Sequence, residues 1–209
     1  MRAEINKILI PIGGRALICW TVEAFTQVDE IDDLVVVVQA SEMAAIKRII
    51  QPVAPHARLV EGGLTRRDSA LAGVRAATGN VVLIHDGARP FPMKTLILRV
   101  IAKARKERAA IPILPVTDLL HHLTPAGDAV LTPPHLDGSW VRAQTPQGFH
   151  RALILRCLED APPEIRDDAS ALLLAGQSVA TVAGEHSNMK ITDPEDLPMG
   201  EAIAAMREP

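Results

Sequence analysis

The sequence predicts an α/β fold on an open, mostly parallel sheet, and two features predict it. Short β-branched runs alternate along the chain with amphipathic helical patterns. The strongest runs, residues 34–39 (LVVVVQ) and 81–85 (VVLIH), are continuously apolar rather than alternating, as expected of strands covered on both faces.

The elements follow in order. After the strand at 34–39, Ser41 is placed to cap a helix that reaches Ile50, with Met43, Ile46 and Ile50 on one face. A short strand is expected at 58–61 and a helix at 66–77, closed by Gly79 as the residue after its end. The strand at 81–85 leads to a long helix at 93–107 and a third strand at 110–115. Residues 116–142 break the rhythm with several prolines and a Gly127-Asp128 turn, a composition that fits a protruding arm or hairpin. Helical patterns resume at 150–159 and 167–175, a strand fits 179–182, and 194–206 reads as a last helix with Pro194 in its first turn. Cys19 and Cys157 each fall inside an apolar helical stretch. The whole, 1–209, reads as one domain.

Composition narrows the function. Nearly half of the residues are apolar, yet no apolar run reaches the roughly 18 residues a membrane span needs, and Glu4, Asn6 and Lys7 interrupt the start as a signal peptide. A net charge of -3, aromatics at 2% and the lack of tyrosine disfavour nucleic acid as a partner, both as a polyanion and through base stacking. Two distant cysteines make no disulfide framework, so a reduced, cytoplasmic setting is expected. His121, His122 and His135 have no Cys or carboxylate at metal-ligand spacing, and Ser69 has no nucleophile elbow around it.

Four segments carry chemistry. In Val81-Val-Leu-Ile-His-Asp-Gly-Ala-Arg-Pro90 a buried strand delivers Asp86 to its carboxyl end, where open α/β sheets bind ligands. A carboxylate there suits Mg2+, and Gly87 and Ala88 let a phosphate approach the backbone; a helix-capping Asp with a surface Arg89 fits the same spacing. Glu61-Gly-Gly-Leu-Thr-Arg-Arg-Asp-Ser-Ala70 sets Gly62 and Gly63 before a helix. Free N–H groups there would meet an anion or a base edge, with Arg66 and Ser69 beside it, although an ordinary capped turn is the default reading of a lone Gly-Gly pair. Arg142-Ala-Gln-Thr-Pro-Gln-Gly-Phe149 groups Gln144, Thr145 and Gln147 around a proline, by default a structural turn. Asn188-Met-Lys-Ile-Thr-Asp-Pro-Glu-Asp196 puts Lys190 on a short extended piece before a capped helix, by default a solvated lysine.

Together and in this order, GG-x-x-R-x-x-S, HDGARPF, RAQTPQGF and NMKITDPEDL resemble the 2-C-methyl-D-erythritol 4-phosphate cytidylyltransferase family. The resemblance implies a Rossmann-like nucleotidyltransferase fold and a homodimer clasped through the arm. It implies the reaction of CTP with methylerythritol phosphate to give the CDP-alcohol and pyrophosphate, within isoprenoid precursor biosynthesis. On the matching positions it implies that Asp86 holds Mg2+ and that Arg89 binds the alcohol phosphate. It gives Thr145 and Lys190 to the alcohol-phosphate site, and Gly62, Gly63, Arg66 and Ser69 to the nucleotide. Lys7 corresponds to the lysine that neutralises the reacting phosphates. Ribitol 5-phosphate cytidylyltransferases share GG-x-x-R and Asp-x-x-Arg-Pro, and a dimeric domain without turnover is the reading from another class.

The chain departs from the family pattern at its start. The signature Ala-Ala-Gly-x-Gly-x-Arg-Met would place its methionine at Met1, six residues before Lys7, and Asn6 stands where Pro is usual. The expectation is therefore that in-frame codons upstream encode a strand and the Gly-rich loop. Arg166 replaces the usual Thr before Asp167-Asp-Ala-Ser, and 136–140 lacks the usual Asp-Arg pair. The ending, 201–209, resembles the join to a cyclodiphosphate synthase domain.

Overall fold

Gly13 and Gly14 turn the chain within two residues, with φ of 55° and 71°. Positive φ at both central positions is what a tight hairpin demands, and it pairs β1 (Pro11–Ile12) with β2 (Arg15–Ala16). The chain is seen in a computed structural model describing residues 6–126, 129–131 and 138–207. The start at 1–5, the Gly127-Asp128 turn, residues 132–137 with His135 among them, and the last two residues lie outside the described part.

Helix α1 (Leu17–Thr26) follows the hairpin and buries seven of its residues, Cys19 among them. β3 (Val35–Val38) and β4 (Arg58–Glu61) pair in parallel, joined through α2 (Met43–Ile50). Ile46 and Ile50 face the core as the periodicity predicts, but Ser41 caps nothing. A 3-10 turn, Ala40–Glu42, takes up the entry and moves the helix start past it. α3 (Arg66–Ala76) is capped by Thr65, whose hydroxyl accepts from the Asp68 N–H at 3.0 Å. It ends through Ala77 in extended conformation, so the expected role of Gly79 as terminator does not hold.

β5 (Val81–Ile84) and α4 (Lys94–Glu107) match the expected strand and helix. β6 (Ala109–Pro115) then enters the centre of a five-stranded sheet. A hairpin of β7 (His121–Leu123) and β8 (Ala129–Leu131) fills the expected arm, and β9 (Val141–Ala143) returns along the end of β6. β10 (Gln147–His150) runs antiparallel between β5 and β6. From the residues alone that segment reads as a turn; its proline sits just ahead of the strand, where no ladder hydrogen bond is lost. After α5 (Arg151–Asp160) and α6 (Asp168–Leu174), β11 (Ala180–Ala183) adds in parallel to the far side of β6. A capped 3-10 turn at Pro194–Asp196 leads into α7 (Leu197–Arg207). β5, β6 and β11 thus share one direction, and the sheet is open.

Phe149 on β10 is fully buried and packs with Val74 of α3 and with Leu153, Ile154 and Leu158 of α5. A second cluster joins Ile12, Leu17 and Trp20 to Phe91, Ile191 and Ala204, tying the hairpin to the segments after β5 and β11. Trp20 donates its indole N–H to the Ile12 carbonyl at 2.8 Å and meets Phe91 edge-on at 5.7 Å. A Cβ on Gly148 would lie 2.8 Å from Val100, so the centre of β10 needs glycine for α4 to approach.

Asp33 joins three segments. It accepts from Arg58 at 2.9 and 2.7 Å and from the Thr78 amide at 3.0 Å. The Arg58 hydrogen bond, ahead of the Thr78 bonds, holds its carboxyl below the usual range. A carboxylate with a lowered folded pKa stabilises the fold above its unfolded pKa, and the gain fades as pH falls through the folded value. Asp33→Asn is therefore expected to cost about 1–2 kcal/mol at pH 7. In urea denaturation series, its difference from wild type should shrink once pH drops below about 4. A pH-independent difference would contradict this.

Candidate active site

The site forms where β5 ends. The turn after Ile84 carries His85, Asp86 and Arg89, and Ala88 accepts from the Ile191 N–H at 2.8 Å, which brings Lys190 alongside. Three cations surround one carboxylate: Lys190 Nζ lies 3.0 Å from Asp86, and Arg66 and Arg89 each lie 3.6 Å away. Burial raises the Asp86 carboxyl, but the pull of Lys190, then Arg66 and Arg89, outweighs it and leaves the group below the ordinary carboxylate range. Asp86 is ionised at neutral pH.

Arg66 also forms a two-pronged pair with Asp168, 2.8 Å on each arm. Asp168 is fully buried at the start of α6. Burial pushes its carboxyl up, against the opposing pull of Arg66. The neighbouring Asp167 caps α6 through the Ser170 N–H and accepts from Gln147 at 2.9 Å, while Gln147 accepts from the Ala169 N–H. α6 is thereby fixed against the start of β10.

Arg89 donates to the Asn188 carbonyl at 2.8 Å, and Asn188 donates to the Thr145 carbonyl at 2.7 Å. The Thr145–Pro146 peptide is cis. The Thr145 hydroxyl lies 3.1 Å from the Asp86 amide nitrogen and 3.0 Å from His85 Nδ1, and His85 Nε2 lies 2.9 Å from the Arg89 carbonyl. Burial lowers the His85 pKa to about 4, so the ring is neutral near pH 7.

A pocket of about 200 Å³ opens beside this turn, lined by Asn6, Ile8, Val37, Gln39, Gly62 and Ser69 among others. The Gly62 N–H bonds to the Val38 carbonyl at 2.8 Å, so the free donor expected there is already engaged. A Cβ on Gly63 would fall 2.3 Å from Asp68, which is the packing reason for glycine at this position. The Ser69 hydroxyl donates to the Gly63 carbonyl at 3.3 Å.

The structure thus brings Asp86, Arg89, Lys190, Arg66 and Thr145 together and sets Gly62 and Ser69 on the wall of the neighbouring pocket, while Gly63 packs on Asp68. Lys7 lies in the 3-10 turn Lys7–Leu9. Among the described residues no ion pair joins it to Asp86. It adds a small pull to Asp196, whose carboxyl is lowered first by the Asp193 and Thr192 amides. Sequence reasoning missed Asp168, His85 and Asn188. The Asp167-Asp168 doublet at a helix start held a signal, because only one of two adjacent carboxylates can cap and the other must find a different partner.

Removing one member of a buried pair strands the other charge. Asp168→Ala is expected to lower the unfolding free energy by about 2–4 kcal/mol, measured by urea denaturation. A loss below about 0.5 kcal/mol would show that Arg66 finds an equal partner elsewhere.

The profile of a family described as 2-C-methyl-D-erythritol 4-phosphate cytidylyltransferase matches residues 1–206. The chain is 37% identical over 209 residues to a bifunctional enzyme IspD/IspF of Anaeromyxobacter sp. Fw109-5, covering 97% of this chain and 54% of that one. It is 36% identical to the 2-C-methyl-D-erythritol 4-phosphate cytidylyltransferase of Halalkalibacterium halodurans, covering 100% of this chain and 92% of that one. The crystal structure of the Thermus thermophilus cytidylyltransferase superposes with a TM-score of 0.80 at 35% identity, over 95% of this chain and 94% of that one. The chain therefore spans about half the length of the bifunctional relatives it matches and most of the length of the single-function ones.

Proposed function

The chain belongs to the 2-C-methyl-D-erythritol 4-phosphate cytidylyltransferase family, and we propose on that footing that it transfers CMP from CTP to 2-C-methyl-D-erythritol 4-phosphate with release of pyrophosphate. The observation that carries this reading is the ring of Lys190, Arg66 and Arg89 around Asp86 at a strand's carboxyl end. Such a ring suits two phosphate-bearing substrates whose negative charges must be brought together. An oxygen of the alcohol phosphate attacks the α-phosphorus of CTP in line as pyrophosphate leaves, and no covalent intermediate with the protein is required. Catalysis then rests on positioning and on cations held in place before the substrates arrive.

Each group has a part. Lys190 and Arg89 take the alcohol phosphate, and Thr145 lines the same site. Arg66 faces the nucleotide phosphates, with Gly62, Gly63 and Ser69 at the cytosine and ribose. Lys7 contributes positive charge to the reacting phosphates. Asp86 suits Mg2+: it is ionised, 18% of its side chain is exposed, and Mg2+ is commonly held by one or two carboxylates together with substrate phosphates. Bound there, the ion would neutralise triphosphate charge. The β7–β8 hairpin, with the exposed Leu119 and Trp140 near its base, fits an arm that clasps a second copy. No helix among the described residues is long and apolar enough to cross a membrane, and a cytoplasmic enzyme is the setting this reading entails.

Asp86→Asn is expected to abolish pyrophosphate release in a CTP and methylerythritol phosphate assay while leaving the circular dichroism unchanged. Near-normal turnover would remove Asp86 from the chemistry. Lys190→Ala and Arg89→Ala should each lower kcat/KM for the alcohol phosphate by about tenfold to a thousandfold, the range of a lost charge-assisted phosphate contact. CTP affinity should change less in the Arg89 variant; the reverse would reassign Arg89 to the nucleotide.

A further inference from the structure

We infer that His85 is a positioning residue: as the Nε2–H tautomer it fixes the direction of the Thr145 hydroxyl, and through it the Asp86–Arg89 turn. The inference rests on the proposed cytidylyl transfer only for its kinetic consequence.

The Arg89 carbonyl decides the tautomer. It lies 2.9 Å from Nε2, and a carbonyl oxygen can only accept. Nε2 must therefore carry a proton, since two lone pairs facing each other at that distance would repel. A neutral ring has one N–H, which leaves Nδ1 a bare acceptor. The Thr145 hydroxyl, 3.0 Å from Nδ1, then donates to it. The same oxygen accepts from the Asp86 N–H at 3.1 Å. The bonds run in one sense: Asp86 amide to Thr145 hydroxyl, Thr145 hydroxyl to His85, His85 to the Arg89 carbonyl. Both ends of the chain lie on the turn that holds the Asp86 carboxylate and the Arg89 guanidinium.

Phe25 holds the ring in place edge-on, with centroids 4.8 Å apart. Thr145 is only 4% exposed, so the protein and not solvent orients its hydroxyl. A hydroxyl has one proton and two lone pairs. With the proton given to His85 and one lone pair to Asp86, a single lone pair remains. Toward a substrate Thr145 can accept a hydrogen bond from an alcohol O–H and cannot donate one to a phosphate oxygen.

Nitrogen-15 NMR of wild-type protein near pH 7.5 (~1 unit above an unperturbed histidine) reads the tautomer directly. The expected His85 signals are an unprotonated, pyridine-type Nδ1 and a protonated Nε2; a protonated Nδ1 overturns the inference, whether or not the protein turns over. Kinetics of two variants test the positioning. Asn places its amide oxygen where Nδ1 stands, so His85→Asn keeps the acceptor for Thr145, whereas His85→Leu keeps neither contact. His85→Leu should lose about tenfold to a hundredfold in kcat, with the KM for CTP within about threefold, as expected of a displaced reacting group. His85→Asn should recover most of that loss. An Asn variant as slow as the Leu variant, both folded by circular dichroism, overturns the role. Absence of turnover in wild type itself would defeat the proposed reaction and leave the tautomer result to judge this inference alone.

Discussion

Asp86 holds its charge in a half-buried turn because Lys190, Arg66 and Arg89 stand within 3.0 to 3.6 Å of it. The three cations come from segments far apart in the chain. Arg66 opens α3, Arg89 lies in the same turn as Asp86, and Lys190 follows β11. The contact therefore requires the ends of β4, β5 and β11 to converge, and the rest of the fold is arranged to make them converge. β10 threads between β5 and β6, and Gly148 at its centre lets α4 lie close. The Ile191 amide docks on the Ala88 carbonyl and sets the approach of Lys190.

Such a cluster is costly to assemble, since each ion loses water on burial. Hydrogen bonds to neutral groups and one further carboxylate offset that cost. Arg89 is held by the Asn188 carbonyl and Arg66 by the fully buried Asp168. The neutral His85 and Thr145 brace the backbone without adding charge. The outcome is a set of cations already in place, a state that favours polyanions and does not have to be organised during the reaction.

Much of this was legible in the residues. The continuous apolar runs gave β3 and β5, and the amphipathic patterns placed α2, α3 and α4 within a few positions of where they lie. Asp86 stood out as a carboxylate at the carboxyl end of a buried strand, although a helix cap fitted the same spacing, and Arg89 and Lys190 took their roles from the family resemblance. β10 was hidden, since Thr-Pro-Gln-Gly reads locally as a turn and becomes a strand only through two neighbours distant in sequence. The Ile12-Gly-Gly-Arg15 hairpin carried a clear signal in its two glycines and went unread. Asp168 was missed for another reason: its doublet with Asp167 signals that one carboxylate needs a partner, but the partner, Arg66 across 102 positions, is set by tertiary packing. Lys7 was singled out by resemblance alone, and it lies in the 3-10 turn Lys7–Leu9.

The account depends on Asp86 being held ionised by its three cations, and the titration of its carboxyl carbon by carbon-13 NMR measures that directly. In wild-type protein the carboxyl is predicted to titrate below the ordinary aspartate value of about 3.9, and to move upward in Lys190→Met, where the nearest cation is gone. A carboxyl that titrates at or above that value in wild type, or that does not respond to loss of Lys190, would contradict the account.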